Sequence, residues 1–335
     1  MKIIDVAMLY EYGIKERGYS YEYYNMYSSL KNIYKEVYLF DYFSLFQEKG
    51  KEVMNRELIA YIKKEKPDLV IFNLYRDEFI SEVLDEIKKY AITLCYFWDD
   101  QWRINFTKFC APHFSYITTP DFNGFRKWRE RGYNNVIYSP FGCNHFLYKK
   151  KNLPKKYDIS FVGGYHPYRE WILKKLKKAG VNVFKVGAGW EKGFVSYEEI
   201  INIFNQSKIN LNISNSHSWD LRYLLSSPRA IKAALSLLRG GEEPKNREQI
   251  KTRHFEICGC GGFQLSYYVE GIEHCYEIGK EIAIYLDIDD LIEKIKYYLR
   301  HDEERERIAN AGYRRVLTEH TYEKRFREII NQIGL

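Results

Sequence analysis

The sequence of 335 residues has no run of about 18 apolar residues, so it predicts no membrane-spanning helix. Its first residues, MKIIDVAMLYEYG, lack the apolar region and the small-residue cleavage site of a signal peptide. The six cysteines form no paired framework, and the lysines do not gather in one basic block. We therefore expect a cytoplasmic protein with reduced cysteines, no transmembrane segment and no nucleic-acid partner.

The composition is that of a globular protein, with 45% hydrophobic and 29% charged residues. Lys and Arg number 52 against 45 Asp and Glu, which gives a net charge of +7. This balance favours anionic substrates, and it leaves open a peripheral contact with an anionic membrane face. The 31 tyrosines run through the whole chain, so we interpret them as biased composition rather than as one sugar-binding cluster.

Short β-branched runs alternate with amphipathic stretches along the whole chain. The predicted strands are 2–9, 37–41, 67–73, 91–98, 114–118, 135–138, 157–162, 181–186, 209–213, 263–266 and 282–286. The predicted helices are 20–33, 53–64, 78–90, 122–130, 168–178, 197–205, 228–238, 253–258, 289–300, 303–319 and 322–333. Alternation with apolar strands predicts doubly wound parallel sheets that are covered on both faces.

The alternation breaks at PFGCNHFLYKKKNLPKK, residues 140–156, which is the predicted linker between two halves of similar size. We expect a Rossmann-like domain at 1–150 and a second one from 151, facing each other with the carboxyl ends of their strands along a cleft. Residues 215–250 interrupt the second domain. This insertion is interpreted as an acceptor-side lid, a dimer contact, a membrane-facing patch or a plain surface loop.

A first candidate phosphate site is DISFVGGYHPYREW, where a strand runs into Gly163 and Gly164 before a helix. Glycines at such a turn let backbone N–H groups approach an anion, and the helix N-terminus adds its dipole. Arg169 lies in the first helical turn and would add a charge-assisted contact. The spacing matches neither a Walker A loop nor a full G-x-G-x-x-G fingerprint, so a simple turn remains an alternative.

A second candidate is KVGAGWEKG, where a predicted strand opens into Gly187 and Gly189. Loops at the carboxyl ends of strands are where a nucleotide base is commonly bound, and Trp190 would stack on it. A core tryptophan beside a turn is the alternative.

The stretch TRHFEICGCGGFQLS raises the question of a metal site, because Cys258 and Cys260 stand one residue apart. No second pair follows at zinc-site spacing, and His274 and Cys275 are too isolated to complete one. A redox C-x-x-C is also absent. We interpret these cysteines as packing residues and expect no metal.

The same stretch places Arg253 and Glu256 three residues apart on one helical face, just before Gly261 and Gly262. A cation and a carboxylate beside a glycine turn suit a phosphate and a ribose. An intrahelical salt bridge is the alternative.

The segment FWDDQWR follows a predicted strand, so Asp99 and Asp100 are expected at a carboxyl end. Paired carboxylates ligate a divalent metal, act as a general base or bind sugar hydroxyls. One of them would otherwise cap the next helix. The flanking Trp98 and Trp102 favour a role toward a sugar.

Together, FVGGYHPYRE, RHFEICGCGGFQLSYY and the closing EHTYEKR resemble the C-terminal domain of the CgeB-like, spore-maturation-protein type glycosyltransferases. The first half resembles the family more loosely, through ERGYSYEYYNMYSSLKNI, KPDLVIFN and YFWDDQW. The resemblance implies the two-domain GT-B fold and an enzyme that transfers a sugar from a nucleotide-diphosphate sugar of UDP, GDP or dTDP type. The acceptor would be a glycan, a lipid-linked or a protein hydroxyl, in polysaccharide or glycoprotein biosynthesis.

By the same resemblance, residues 1–150 would bind the acceptor and 151–318 the donor, and a C-terminal helix in 319–335 would cross back to the first domain. Glu256 would bind the ribose, Gly261 and Gly262 would admit the diphosphate, and Arg253 would lie close by. The remaining expected donor-binding residues are Gly163, Gly164, Arg169, Gly187, Gly189 and Trp190. No cofactor or metal would be obligatory.

Glu248 and Glu256 have the E-x7-E spacing of many retaining GT-B enzymes. The residues after Glu248, Gln-Ile-Lys, lack the glycine loop found there, so the spacing does not predict retention. An inverting enzyme needs a base in the N-terminal domain, for which Asp99 or Asp100 is predicted, whereas a retaining one needs no strong base.

Two other functions compete with glycosyl transfer. A Rossmann oxidoreductase would need a fingerprint after the first strand, but Gly13 and Gly18 give no G-x-G there. A non-catalytic GT-B-like module would bind a glycan or a partner and transfer nothing. Donor-site residues argue against such a module, although they report binding and not turnover.

Overall fold

The computed structural model describes residues 1–99, 102–216, 220–236 and 248–335. The chain divides into two compact units. Unit 1 consists of Met1–Leu147 together with Thr321–Leu335, and unit 2 is Tyr148–His320. Each unit is built on one parallel sheet, so the predicted α/β class with two parallel sheets is confirmed.

Unit 1 contains a six-stranded sheet in the order β2-β1-β3-β4-β5-β6, with every neighbouring pair parallel. Its strands are β1 Lys2–Ala7, β2 Glu36–Asp41, β3 Leu69–Phe72, β4 Ile92–Tyr96, β5 Tyr116–Thr119 and β6 Val136–Tyr138. Unit 2 contains a five-stranded parallel sheet in the order β11-β10-β9-β7-β8. Its strands are β7 Tyr157–Val162, β8 Phe184–Val186, β9 Ser207–Asn212, β10 Gln264–Tyr267 and β11 Ala283–Tyr285.

The helices join these strands and cover the sheets. They are α1 Ser28–Ile33, α2 Tyr42–Glu65, α3 Ser81–Ile87, α4 Ile104–Cys110, α5 Phe122–Glu130, α6 Pro167–Lys178, α7 Tyr197–Gln206, α8 Leu221–Leu224, α9 Pro228–Ser236, α10 Arg253–Gly259, α11 Ile288–Tyr298, α12 Asp302–Glu319 and α13 Tyr322–Ile333. Single turns are Glu11–Gly13, Lys15–Arg17, Ala111–His113 and Ile272–His274, which are 3₁₀, and Tyr23–Tyr27, which is π-helical.

Side-chain caps explain where several helices begin. The Ser196 hydroxyl and the Glu199 carboxylate form a reciprocal capping box at the start of α7. The Asp287 carboxylate accepts from two backbone N–H groups at the start of α11, and the Thr321 hydroxyl accepts from Lys324 N at the start of α13. Each cap satisfies N–H groups that the helix itself leaves unpaired.

The unit 1 sheet buries both of its faces. Ile4 and Val6 point into a cluster with residues of α2, α3 and α5. Ile3 points to the other face, where Met26, Leu30 and residues of α13 cover the sheet. Two buried faces explain why the strands read as apolar runs instead of alternating patterns.

The last helix, α13, therefore belongs to unit 1. It buries Tyr322, Phe326, Ile329, Ile330 and Ile333 in the cluster that covers one face of the sheet. At its start Tyr322 N donates to the Cys143 carbonyl at 3.0 Å, and the Tyr322 and Tyr21 hydroxyls lie 3.0 Å apart.

In unit 2, α7 packs on β7 and β9, α10 on β9 and β10, and α11 on β11. Each of these helices has an apolar side, and α10 is buried over its whole length from His254 to Gly259. These contacts hold α10 against the sheet, and Arg253 in its first turn donates to the Val162 carbonyl at the end of β7.

The predicted elements differ from the structure in a few places. Helix α2 starts at Tyr42 instead of residue 53, and Gly50 with φ +81° breaks it in between. The predicted helix 20–33 contains the π-helical turn Tyr23–Tyr27 before α1. Helix α4 was not predicted. In the insertion 215–250 the structure describes α8 and α9, and residues 217–219 and 237–247 lie outside the described residues.

Candidate functional site

The strand order of unit 2 marks one position as a natural ligand site. Strand β7 lies between the edge strand β8, which follows it in sequence, and β9 on its other side. Ligands of open α/β sheets bind at the carboxyl ends of the two strands where the order reverses. Here those ends lead into Gly163 and Gly164 after β7, and into Ile213 and Ser214 after β9.

Arg169 joins these two loops. Its Nη1 donates to the Gly164 carbonyl at 2.9 Å, and its Nε donates to the carbonyls of Ile213 at 2.9 Å and Ser214 at 3.2 Å. Burial lowers the pKa of Arg169 to about 10, so the guanidinium is still charged at neutral pH. A fixed positive charge therefore lies at the reversal point, and its contact with a phosphate stays a prediction.

The Gly163 loop is also tied to the loop after β8. Gly163 N donates to the Val186 carbonyl at 3.0 Å, and Tyr165 N donates to the Ala188 carbonyl at 2.7 Å. Gly187 has φ +134°, and a Cβ there would lie 2.3 Å from the Gly163 carbonyl oxygen. Only glycine fits this close approach. The structure thus brings the two predicted glycine loops together.

Trp190 supports this junction. Its indole N–H donates to the Gly163 carbonyl at 2.9 Å, and its ring meets the Tyr165 ring edge-on with centroids 5.2 Å apart. Gly189 has φ +80°, and a Cβ there would lie 2.7 Å from Tyr165 Cβ. Stacking of Trp190 on a nucleotide base stays a prediction.

Arg253 and Glu256 form an ion pair across one turn of α10. The Arg253 Nε also donates to the Val162 carbonyl at the end of β7, at 3.4 Å, so the guanidinium reaches the same edge of the sheet as Arg169. Glu256 has no exposed surface, and its Oε1 accepts from the Tyr148 hydroxyl at 3.0 Å. In this arrangement both carboxylate oxygens already have donors.

Gly261 and Gly262 lie elsewhere in unit 2. They follow the C-terminus of α10 and precede β10. This turn therefore lies at the edge of the sheet where the strands begin, the amino edge. A Cβ on Gly261 would lie 2.7 Å from Lys150 Cδ, and one on Gly262 would lie 2.7 Å from Asn210 Nδ2. The structure therefore does not bring this turn to Gly163 and Gly164, because a helix between parallel strands ends at the opposite edge from where it begins.

Glu248 lies at the carboxyl edge of the unit 2 sheet, although the sequence analysis drew no conclusion from it. Its carboxylate accepts from the hydroxyls of Ser214 and Ser216, in the loop after β9. It lies near enough to Tyr267 and Tyr285 to add to the effect of burial, which raises the pKa of both hydroxyls. The E-x7-E spacing was the sequence signal, and only the fold shows that it reaches the reversal point.

In unit 1, Asp99 lies after β4, at the carboxyl edge of the sheet. Its carbonyl accepts from Arg103 N at 2.9 Å, which starts α4, and the neighbouring Trp98 ring stacks on Phe141. Asp100 lies outside the described residues. The pairing of the two carboxylates therefore stays a prediction.

The order of unit 1 reverses between β1 and β3, and this position holds carboxyl groups that the sequence analysis missed. Asp5 in β1 is fully buried, with Oδ1 accepting from Asn73 Nδ2 at 2.9 Å and no hydrogen-bond partner at Oδ2. Burial, with the nearby Glu22 carboxylate, raises the pKa of Asp5 to about 8. Burial also raises the pKa of Glu22 to about 7. An aspartate inside the apolar run KIIDVA was the available signal.

Tyr12 lies close enough to both Glu22 and Asp99 to interact electrostatically with them. Its pKa is raised to about 12, first by burial and then by the surrounding groups, among them Glu11, Glu22 and Asp99. Tyr12 also has φ +52°, a conformation uncommon for a residue with a side chain. The carboxyl edge of unit 1 is thus acidic, whereas that of unit 2 carries two arginines.

All six cysteines lie in the described residues, where they are buried and form no disulfide bond. Cys258 Sγ donates to Gln264 Oε1 at 3.3 Å, and burial raises the pKa of its thiol to about 12. Within the described residues, no group of three or more His, Cys, Asp or Glu side chains is arranged to hold a metal ion. In the same part of the chain, no helix has both the length and the apolarity to cross a membrane.

Two α/β units that are each built on one parallel sheet are typical of the GT-B class of proteins. Comparison with known structures agrees with this class. Anabaena HepE, solved in complex with UDP-glucose, superposes with a TM-score of 0.62 at 11% identity, covering 100% of this chain and 99% of HepE. Sucrose-phosphate synthase from Thermosynechococcus elongatus gives a TM-score of 0.55 at 13% identity, covering 86% of this chain and 78% of the synthase. At such identities the likeness concerns the fold.

The sequence comparison also points to glycosyltransferases. Residues 169–331 match the glycosyl transferase-like family. The chain is 24% identical to spore protein CgeB of Bacillus subtilis (strain 168) over 226 residues, which are 62% of this chain and 64% of CgeB, so the match spans less than two thirds of that relative. The chain is thus similar in sequence to the CgeB-like glycosyltransferases and in fold to GT-B proteins, which supports the predicted resemblance.

Proposed function

We propose that the protein transfers a sugar from a nucleotide-diphosphate sugar to an acceptor hydroxyl. The observation that carries this proposal is the placement of Arg169 at the point where the strand order of unit 2 reverses, with Arg253 reaching the same edge. Two fixed cations beside glycine-lined loops suit a diphosphate. The family match and the GT-B fold support the same activity.

In this proposal unit 2 binds the donor. Gly163 and Gly164 let the diphosphate approach the backbone, and Arg169 and Arg253 neutralise the charge that develops on the leaving group. Glu256 binds the ribose hydroxyls, which requires that Tyr148 or Arg253 exchange its hydrogen bond for one from the sugar. A UDP-type nucleotide is the first candidate, since HepE was solved with UDP-glucose. A hexose is the proposed sugar.

Unit 1 binds the acceptor, which is a carbohydrate, lipid-linked or protein hydroxyl. If transfer inverts the anomeric centre, a carboxylate of unit 1 takes the acceptor proton, and Asp99 and Glu22 are the candidates in the described residues. Burial holds the pKa of Glu22 at about 7, which suits a general base at neutral pH. If transfer retains the configuration, no strong base is needed and both carboxylates bind or orient the acceptor.

We also propose that no metal is required, because the two arginines already supply the positive charge that a divalent cation would provide. Activity should then survive excess EDTA. A cytoplasmic location and a peripheral membrane contact are further proposals, which cell fractionation would test.

The test is a thermal-shift screen of UDP, GDP, dTDP and NAD, followed by mass spectrometry of donor turnover. One nucleoside diphosphate should raise the melting temperature, and NAD should not. Stabilisation by NAD in place of any diphosphate would overturn the proposal. Diphosphate binding without donor hydrolysis or transfer to any of a broad acceptor panel would favour the alternative of a non-catalytic module.

A further inference from the structure

Unit 1 contains an apolar pocket that the proposed donor and base residues do not use. Its volume is about 400 Å³, which lies in the range of small-molecule sites. The walls come from Leu74, Phe79 and Leu84 on one side and from Phe106 and Phe109 of α4 on the other. Uncharged aliphatic and aromatic surface thus dominates the interior.

The mouth of the pocket exposes apolar surface. Phe109 is 66% exposed, although it lies among side chains of the pocket wall. Leu74, Phe79 and Leu84 are each less than a tenth exposed. Because this ring is in contact with water beside an apolar cavity, covering it with an apolar ligand would be favourable in free energy.

The pocket wall is held rigidly before any ligand binds. The Glu78 carboxylate accepts from Arg76 N at 2.8 Å. Asn55 bonds the same segment twice, since its Nδ2 donates to the Glu78 carbonyl at 2.9 Å and its Oδ1 accepts from Ile80 N at 3.0 Å. A wall fixed in this way keeps the cavity open instead of collapsing into it.

The pocket adjoins the acidic edge of unit 1. Arg103 N donates to the Asp99 carbonyl at 2.9 Å, and Arg103 Nη2 donates to the Tyr75 carbonyl at 2.7 Å. The Arg103 guanidinium also lies 4.3 Å from the centre of the Phe106 ring. One residue therefore connects the Asp99 turn, the segment after β3 and the pocket wall.

We propose that this pocket binds an apolar group, aliphatic or aromatic, that the acceptor carries next to the hydroxyl that receives the sugar. The inference rests on the proposed function, because it assigns the pocket to the acceptor. The volume fits a ring or a short alkyl chain, and Arg76, Asp77 and His113 at the rim leave a polar exit for the rest of the acceptor.

The experiment compares n-octyl and methyl β-D-glucopyranoside as probes, with the octyl compound below its micelle concentration, by titration calorimetry. The wild-type protein should bind the octyl glucoside about tenfold tighter or more, since the added methylenes leave water. Phe109→Ser removes the exposed ring, and Ser81→Phe fills the cavity from the start of α3. Both substitutions should abolish the preference for the octyl chain.

Phe194→Ser is the matched control, since Phe194 is 57% exposed and belongs to unit 2. It should keep the preference. Equal binding of the two glucosides to the wild type, or an unchanged preference in both pocket variants, would overturn the inference.

The proposed function can fail separately. One outcome is octyl glucoside binding that depends on Phe109, with no sugar transfer from any nucleotide donor. This outcome would support the pocket as a site for an apolar ligand and contradict the proposed transferase activity. Sugar transfer to octyl and methyl glucosides with the same kcat/KM would support the transferase activity and contradict the role of the pocket.

Discussion

The Glu256 carboxylate of α10 is fully buried between the Arg253 guanidinium and the Tyr148 hydroxyl. Glu256→Gln keeps the volume but removes the charge, so Arg253 loses its partner. We expect a loss of roughly 1–3 kcal/mol in the free energy of unfolding, because a charged hydrogen bond is lost. Urea denaturation measures this loss.

Tyr148→Phe is the matched variant for this pair, since it removes one hydrogen bond and leaves the charges in place. It should lose about 1 kcal/mol. If Glu256 also binds the ribose, Glu256→Gln should weaken nucleoside diphosphate binding more than Tyr148→Phe does. Equal affinities in the two variants would contradict that role.

The contact between Gly187 and Gly163 predicts a sharp effect of one methyl group. Gly187→Ala places Cβ 2.3 Å from the Gly163 carbonyl oxygen, so the loops after β7 and β8 must separate. We expect a loss of about 2 kcal/mol or more in stability, from this overlap and the strained φ, together with weaker diphosphate binding. Gly193→Ala is the control, because its φ is +63° but nothing lies within 4 Å of the added Cβ. Similar melting temperatures for the two variants would contradict the prediction.

Burial of Asp5 predicts a pH dependence of stability. Its pKa is about 8 in the folded protein and about 3.9 in an unfolded chain, so between these values the folded state holds more protons. Stability should therefore fall as pH rises from about 4 to 8, by up to about 1.4 kcal/mol per pH unit. Asp5→Asn, which resembles the protonated carboxyl, should flatten this slope and be the more stable protein at pH 8. Urea titrations at several pH values measure both slopes, and parallel slopes would refute the assignment.

The two carboxylates near Tyr12 can be separated by their effect on turnover. Glu22→Gln and Asp99→Asn each remove one charge from the acidic edge of unit 1. In an inverting enzyme, the variant that lacks the base should lose about 100-fold or more in kcat, with nucleotide affinity unchanged. Initial rates over a range of pH identify it, because only the base variant loses the acidic limb of the profile. Wild-type rates in both variants would exclude a base role for either residue.

Much of the fold was predictable from local sequence patterns. Apolar runs such as DISFV predicted β7 with its observed bounds. A strand that is buried on both faces is apolar over consecutive residues, and such a run is easy to identify in the sequence. The start of α2 was missed because Gly50 divides the helix, and a single glycine in a polar stretch reads as a boundary.

The site was less predictable, because its residues meet through topology. Gly163 and Gly187 were both identified, but only the pairing of β7 with β8 brings their loops together. Gly261 was assigned to the diphosphate site through the family resemblance, whereas the direction of α10 puts it at the other edge of the sheet. Glu22 and Asp5 carry no motif, and their raised pKa values arise from burial that no sequence spacing encodes.

The assignment of α13 to unit 1 has a consequence for the order in which the protein is made. When residues 1–147 have left the ribosome, the part of the sheet face that Tyr322 and Phe326 will cover is still exposed, although Met26 and Leu30 already pack on that face. All of unit 2 must be synthesised before that cover exists, and unit 2 is free to fold in the meantime. The unit whose synthesis begins first is thus completed last, and until α13 packs on it part of its apolar surface is exposed to solvent.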